Sequence, residues 1–170
     1  LTQPLWNNYG ALLQAWALQR AIAKAGYDVV TDSFPRRFPS FWANNIDRAK
    51  RIVAHYLLGR KSVDPFPYYV NSRNWERISV NTKEFVRNNI AVVDFFEGQT
   101  MPSRDMIESF DTFVVGSDQV WRDSYGRVES YFCDFAKSTN KKRIAYAASF
   151  GLGNWQFDSK RTENIKALAD

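Results

Sequence analysis

The chain of 170 residues is long enough for one domain with a real core, 45% of it being hydrophobic and 16% aromatic, so disorder is not expected. It has no run of about 18 apolar residues, which excludes a transmembrane helix, and its start lacks the basic-then-apolar order of a signal peptide. The net charge of +5 is localised: between Arg36 and Lys61 seven Lys and Arg stand against one acidic residue, Asp47, and the remainder is near neutral, which argues against a general nucleic-acid binder.

The chain opens at Leu1 without a methionine, and only Leu1 to Trp6 precede the first polar loop. The natural protein is therefore expected to start earlier, with its first strand clipped. Asn7-Asn8-Tyr9-Gly10 reads as a loop with a helix start. Ala11 to Ala25 then carries Ala11, Ala15, Leu18, Ile22 and Ala25 at helical spacing, and Gly26 is placed to end that helix. Tyr27 to Thr31 reads as a strand, which makes most of a βαβ unit.

After a loop with Pro35 and Pro39, Phe41 to Leu58 predicts a second helix with Trp42, Ile46, Ala49, Val53 and Tyr56 along one side and Arg48, Arg51 and His55 elsewhere. Packing of that stripe on this or another domain is the preferred expectation; a basic amphipathic helix at a membrane surface is the other. The patch over 36–61 suits anionic lipid head groups, anionic saccharides or nucleic acid, and charge alone does not choose among them. His55, the one histidine, is expected on the surface or edge of its helix and not in catalysis. Lys61 to Arg77, including Pro65, Pro67, Tyr68 and Tyr69, reads as loop. A short helix is expected around Thr82 to Asn88, an apolar run covers Ile90 to Phe96, and Met106 to Ser109 closes another short helix.

The most informative stretch is Phe110-Asp-Thr-Phe-Val-Val-Gly-Ser-Asp-Gln-Val-Trp121. Thr112 to Val115 suits a buried strand, Gly116 frees the backbone to turn, and Ser117, Asp118 and Gln119 place a hydroxyl, a carboxylate and an amide at one point. In open α/β sheets ligands sit beyond the carboxyl ends of strands, so this loop is a site candidate; an ordinary capped turn is the plainer reading. Tyr131 to Phe135 is a short aromatic segment and Lys141-Lys-Arg143 a basic turn. Ile144-Ala-Tyr-Ala-Ala-Ser-Phe-Gly151 repeats the design, an apolar strand ending in small polar residue and glycine. If the two strands are parallel neighbours, Ser117, Asp118, Ser149 and Gly151 converge at one sheet edge, near the loop of Asn8 and Gly10. Ser159 to Asp170 reads as a polar helix.

Several chemistries fail on these residues. Neither the Gly-x-Gly-x-x-Gly dinucleotide fingerprint nor the P-loop pattern occurs. Ser149 lacks the glycine two residues before it that a nucleophile elbow needs. The single Cys133 excludes an internal disulfide and fits a reducing compartment, and one Cys with one His argues against a zinc or iron site, so no metal is expected. Asp118 could serve as general base toward a sugar hydroxyl or as its hydrogen-bonding anchor. Trp121 could stack on a sugar ring or sit in the core.

Four segments together, Asn8 to Leu18, Phe110 to Trp121, Tyr131 to Phe135 and Lys142 to Gly151, resemble the polysaccharide pyruvyl transferase family in type, order and spacing. The resemblance covers 8–32 and 110–151, with 34–108 as a variable helical and loop insertion. It implies an α/β fold, a Rossmann-like sheet with flanking helices, forming the N-terminal domain (1–170) of a GT-B-like two-domain enzyme whose C-terminal domain is absent here. It further implies transfer of the enolpyruvyl part of phosphoenolpyruvate to two hydroxyls of one sugar residue, leaving a cyclic pyruvate ketal and phosphate, in cell-surface or exopolysaccharide biosynthesis. Phosphoenolpyruvate is then a donor substrate and no cofactor is needed. The acceptor is a saccharide, free or lipid-linked, and the location is cytoplasmic, with peripheral contact at the inner membrane face through 36–61. Asp118 takes the catalytic role; Asn8, Tyr9, Gly10, Gly116, Ser117, Gln119, Trp121, Ser149 and Gly151 are assigned to substrate binding. The fragment alone is expected to be inactive, because the donor-binding basic residues belong mainly to the other half. The alternatives are a GT-B glycosyltransferase using a nucleotide sugar and a non-catalytic polysaccharide- or membrane-binding module.

Overall fold

The computed structural model describes residues 1–35, 38, 40–67, 72–123 and 127–169. Arg36, Arg37, Pro39, Tyr68, Tyr69 and Asp170, placed above in loops, in the basic patch or at a helix end, lie outside them. The chain is α/β and divides into two compact units, Leu1–Pro35 with Asn81–Asp170, and Arg36–Val80.

In the larger unit, helix α1 (Tyr9–Lys24) starts where the Asn8 side chain accepts from the Gly10 and Ala11 amides, satisfying donors that a first turn leaves open. It ends in a Schellman arrangement: Gly26, at φ +91°, donates to Ala23 O, and Tyr27 donates to Ile22 O. The buried seam of α1 is Ala11, Leu12, Ala15 and Gln19; Leu18 and Ile22 are only half-buried and Ala25 is exposed. The apolar period therefore finds the helix but places its inner face slightly off.

Strand β1 (Thr31–Asp32) is shorter than the expected Tyr27 to Thr31 and lies at the end of that stretch, because its parallel partner β2 (Val92–Val93) is itself only two residues. Tyr27 and Val30 are instead exposed. The pair is cross-linked by a buried polar side chain. Gln19 donates to Thr31 Oγ1 at 2.9 Å and Ala91 O at 2.8 Å, and accepts from Ala91 N at 2.9 Å. β2 lies inside the apolar run noted above.

The second sheet pairs β3 (Thr112–Asp118) with β4 (Lys142–Ala148) in parallel, Val114 opposite Ile144 and Asp118 opposite Ala148. β4 thus takes in Lys142 and Arg143, where a turn was expected. No strand forms within Leu1 to Trp6, yet Leu1 carries parallel-ladder geometry on the free side of β3: its nitrogen donates to Val114 O at 2.6 Å and its carbonyl accepts from Gly116 N at 3.0 Å. The described strands make two two-stranded sheets.

The core of this unit is aromatic. Phe95, Phe113 and Phe135 meet with ring centroids 5.0 to 5.5 Å apart, packed with Val115, Val120, Tyr131 and Cys133. The Tyr131 to Phe135 segment forms two 3₁₀ turns, Val128–Phe132 and Asp134–Ala136, joined by Cys133 at φ +52°. The short helix α5 (Arg104–Glu108) is capped by Ser103, whose Oγ accepts from Met106 N. The last helix (Ser159–Ala169) begins after Asp158, whose carboxylate accepts from Arg161 N at 2.8 Å.

In the smaller unit, helix α2 (Phe41–Ile52) starts at Ser40, whose Oγ accepts from Ala43 N, and runs on as a π-helical turn, Val53–Leu57. The stripe expected to pack is exposed: Trp42, Ile46, Val53 and Tyr56 all face solvent. His55 donates through Nδ1 to Val63 O at 2.7 Å and lies edge-on to Tyr56. Helix α3 (Ser72–Ile78) forms where loop was expected, organised around buried Trp75, whose carbonyl accepts from Ser79 Oγ. Helix α4 (Val80–Asn89) follows at the position expected for a helix, and from Asn81 on it belongs to the larger unit.

Candidate functional site

The parallel pairing of β3 and β4 brings their carboxyl ends together, and with them the loops singled out above. Ser149 N donates to Asp118 O at 2.9 Å and Trp121 N donates to Ser149 O at 3.2 Å, so the two loops are laced by backbone bonds in both directions. The Gln119 side chain lies across Gly151: a Cβ built there, at φ +67°, would sit 2.3 Å from Gln119 Cδ. Gly116 has the tighter requirement. At φ +127° its missing Cβ would fall 2.0 Å from Tyr146 O on β4, so only glycine lets the strands stay paired here, and the strand runs on to Asp118 where a loop was expected from Gly116. Ser117 is half-buried and Ser149 exposed.

Asp118 sits at φ +78°, half-buried, and its Oδ2 accepts from Gln3 Nε2 at 2.8 Å. Gln3 is only 4% exposed, so this amide is a fixed donor and not a mobile surface group. Sequence reading missed it. The one available hint was an amide in the short lead Leu1-Thr-Gln-Pro-Leu5, and its partner is 115 residues away. Oδ1 of Asp118 makes no hydrogen bond among the described residues.

The first loop contributes differently from expectation. Asn8 uses its side-chain oxygen to cap α1, Gly10 lies within that helix, and Tyr9 is 65% exposed. Among the described residues, none of the three hydrogen-bonds the other two loops; Gln3, five residues upstream of Asn8, makes that connection. Trp121 is engaged in packing: its ring stacks on Phe132 at 4.8 Å, lies 5.3 Å from Phe150, and its Nε1 donates to Tyr131 O at 3.0 Å. It joins the aromatic core to a second cluster of Val128, Phe157 and Ile165.

A further strand-end carboxylate, Asp32, also escaped sequence reading although it ends β1 as Asp118 ends β3. It is buried, and Oδ1 accepts from Phe34 N at 3.3 Å and Phe95 N at 3.2 Å, while Oδ2 has no partner among the described residues. Burial pushes this carboxyl above its ordinary 3.8, and the two backbone amides oppose that shift. Its geometry ties the backbone after β1 to that after β2. Burial likewise pushes the Cys133 thiol up to about 11. Among the described residues no three His, Cys, Asp or Glu side chains are gathered to hold a metal ion.

A family model described as polysaccharide pyruvyl transferase matches residues 8–169. No curated protein and no solved structure matches the chain.

Proposed function

The chain belongs to the polysaccharide pyruvyl transferase family, and from that membership we propose that it supplies the acceptor side of a transferase acting on phosphoenolpyruvate and a saccharide. The observation that carries this reading is the carboxylate of Asp118, held by Gln3 on one oxygen and open on the other, beside the Ser149 loop at the shared end of two parallel strands. Ligands bind at such strand ends in open α/β folds. The two parallel pairs then form part of a Rossmann-like half in a GT-B-like enzyme.

The reaction needs one proton delivered to the enol methylene carbon and two taken from sugar hydroxyls. One hydroxyl oxygen bonds to the enol carbon as the methylene becomes methyl. The second displaces phosphate at the same carbon, and its proton leaves with the phosphate, giving the cyclic ketal. Asp118 takes the proton of an attacking hydroxyl through its open oxygen. Ser149 and Gln119 orient the sugar by hydrogen bonding, while Gly116 and Gly151 keep the two strand ends packed together. Basic groups for the donor's carboxylate and phosphate are assigned to a second half.

Phosphate release from phosphoenolpyruvate by the natural full-length protein, measured over a panel of free and lipid-linked oligosaccharides, tests this. Release that depends on both substrates and falls about 10²- to 10⁴-fold in Asp118→Asn is the expected result. Turnover that requires a nucleotide sugar and ignores phosphoenolpyruvate would defeat it.

A further inference from the structure

Helix α2 and the turn that continues it are inside out. Trp42, Ile46, Val53, Tyr56, Leu57 and Leu58 are 73, 55, 44, 60, 77 and 62% exposed, while the half-buried positions are mostly Asn44, Asn45, Asp47, Arg51 and His55. At 100° per residue, Trp42, Ile46, Ala49 and Val53 fall within one arc of α2, and the π-helical turn that continues it adds exposed Tyr56 and Leu57. A face of that size left in water is a binding surface. Its chemistry narrows the occupant. Seven Lys and Arg against one acidic residue over 36–61 favour an anionic partner, Lys50 borders the stripe, and Lys61 lies over the Tyr56 ring at 5.8 Å. The helix is too short and too charged to cross a bilayer, and no described helix is long and apolar enough to do so. Strong amphipathicity, low mean hydropathy, cationic flanks and Trp and Leu on the apolar side are the features of a helix lying in the plane of a lipid interface.

We propose that residues 41–61 dock on anionic lipid bilayers, the stripe entering the headgroup boundary and Lys50, Arg60 and Lys61 meeting lipid phosphates. This rests on the helix surface alone and does not depend on the transfer reaction. The test is flotation of the 170-residue chain with liposomes, in parallel with light scattering. Phosphatidylcholine vesicles with about 30% phosphatidylglycerol should carry the protein up, and pure phosphatidylcholine should carry about tenfold less or lower. Ile46→Asp with Leu57→Asp removes the stripe, and Lys50→Glu with Lys61→Glu reverses two charges; each pair should weaken partition at least about tenfold. All four positions are exposed, so circular dichroism should remain that of the parent. Absence of flotation overturns the proposal. So does flotation untouched by the stripe pair, which would mean a purely electrostatic contact elsewhere. A dimer that dissociates with the stripe pair and ignores vesicles assigns the face to a second copy and overturns it equally.

Discussion

Replacing Gly116 with alanine tests the strand-end geometry most directly. The new methyl carbon would have to occupy a point 2.0 Å from the Tyr146 carbonyl oxygen and 3.0 Å from its carbon, both backbone atoms of β4 that cannot swing aside. The residue would also keep φ near +127°, a region that L side chains rarely adopt. Backbone strain of this kind costs about 1–3 kcal/mol, and forcing atoms into a packed position costs about 1–3 more. If the strands separate instead, the ladder around Gly116 and Tyr146 loses hydrogen bonds at about 1 kcal/mol each. The total, about 2–6 kcal/mol, is a large part of the roughly 5–15 kcal/mol that holds a domain folded. Urea unfolding followed by tryptophan fluorescence should show a midpoint shifted by that amount, with Gly151→Ala much milder because its clash is with the Gln119 side chain, which can rotate away. A Gly116→Ala midpoint within about 0.5 kcal/mol of the parent would refute the argument that β4 dictates this glycine.

Three other outcomes follow from single contacts. Gln3→Leu deletes the donor to Asp118, and in the full-length protein should lower kcat about tenfold with little change in KM; an unchanged kcat would remove Gln3 from the site. Asp32 has its carboxyl raised by burial, so the unfolded chain releases this proton at lower pH than the folded one. The stabilisation this group gives is full below 3.8 and is lost as pH rises through the folded value. Stability profiles of parent and Asp32→Asn should therefore diverge over that rise, and parallel profiles would contradict it. Cys133 is 1% exposed with its thiol pushed up to about 11, so a thiol reagent at neutral pH should modify it only at the rate of unfolding. Rapid modification of the folded chain would show that the segment around it opens.

What could be read from the sequence was local. Helix α1 declared itself through its period, the Asn8 cap and Gly26, all within one stretch of chain. The β3 and β4 loops were legible as strand ends, and their convergence needed only the assumption of parallel neighbours, which the register bears out. What depended on distant partners was not legible. β1 was drawn too long because β propensity at Tyr27 to Val30 cannot reveal that β2 offers only two residues. The buried role of Gln19 depends on Ala91, 72 residues on, which no local pattern points to. For α2 the period disclosed an apolar side, but period alone never says which side water sees.

The bond between Gln3 and Asp118 has a consequence for the order in which the protein becomes itself. Its partners are 115 residues apart, so during synthesis the amide leaves the ribosome first and waits, at ordinary elongation rates on the order of ten seconds, for the carboxylate to follow. Helix α1 can form in that interval from its own neighbours, whereas the Gln3 contact must close a long loop of chain. The Gln3–Asp118 contact therefore cannot exist before Asp118 has emerged, and a nascent chain halted before that point carries an amide that has nothing to hold.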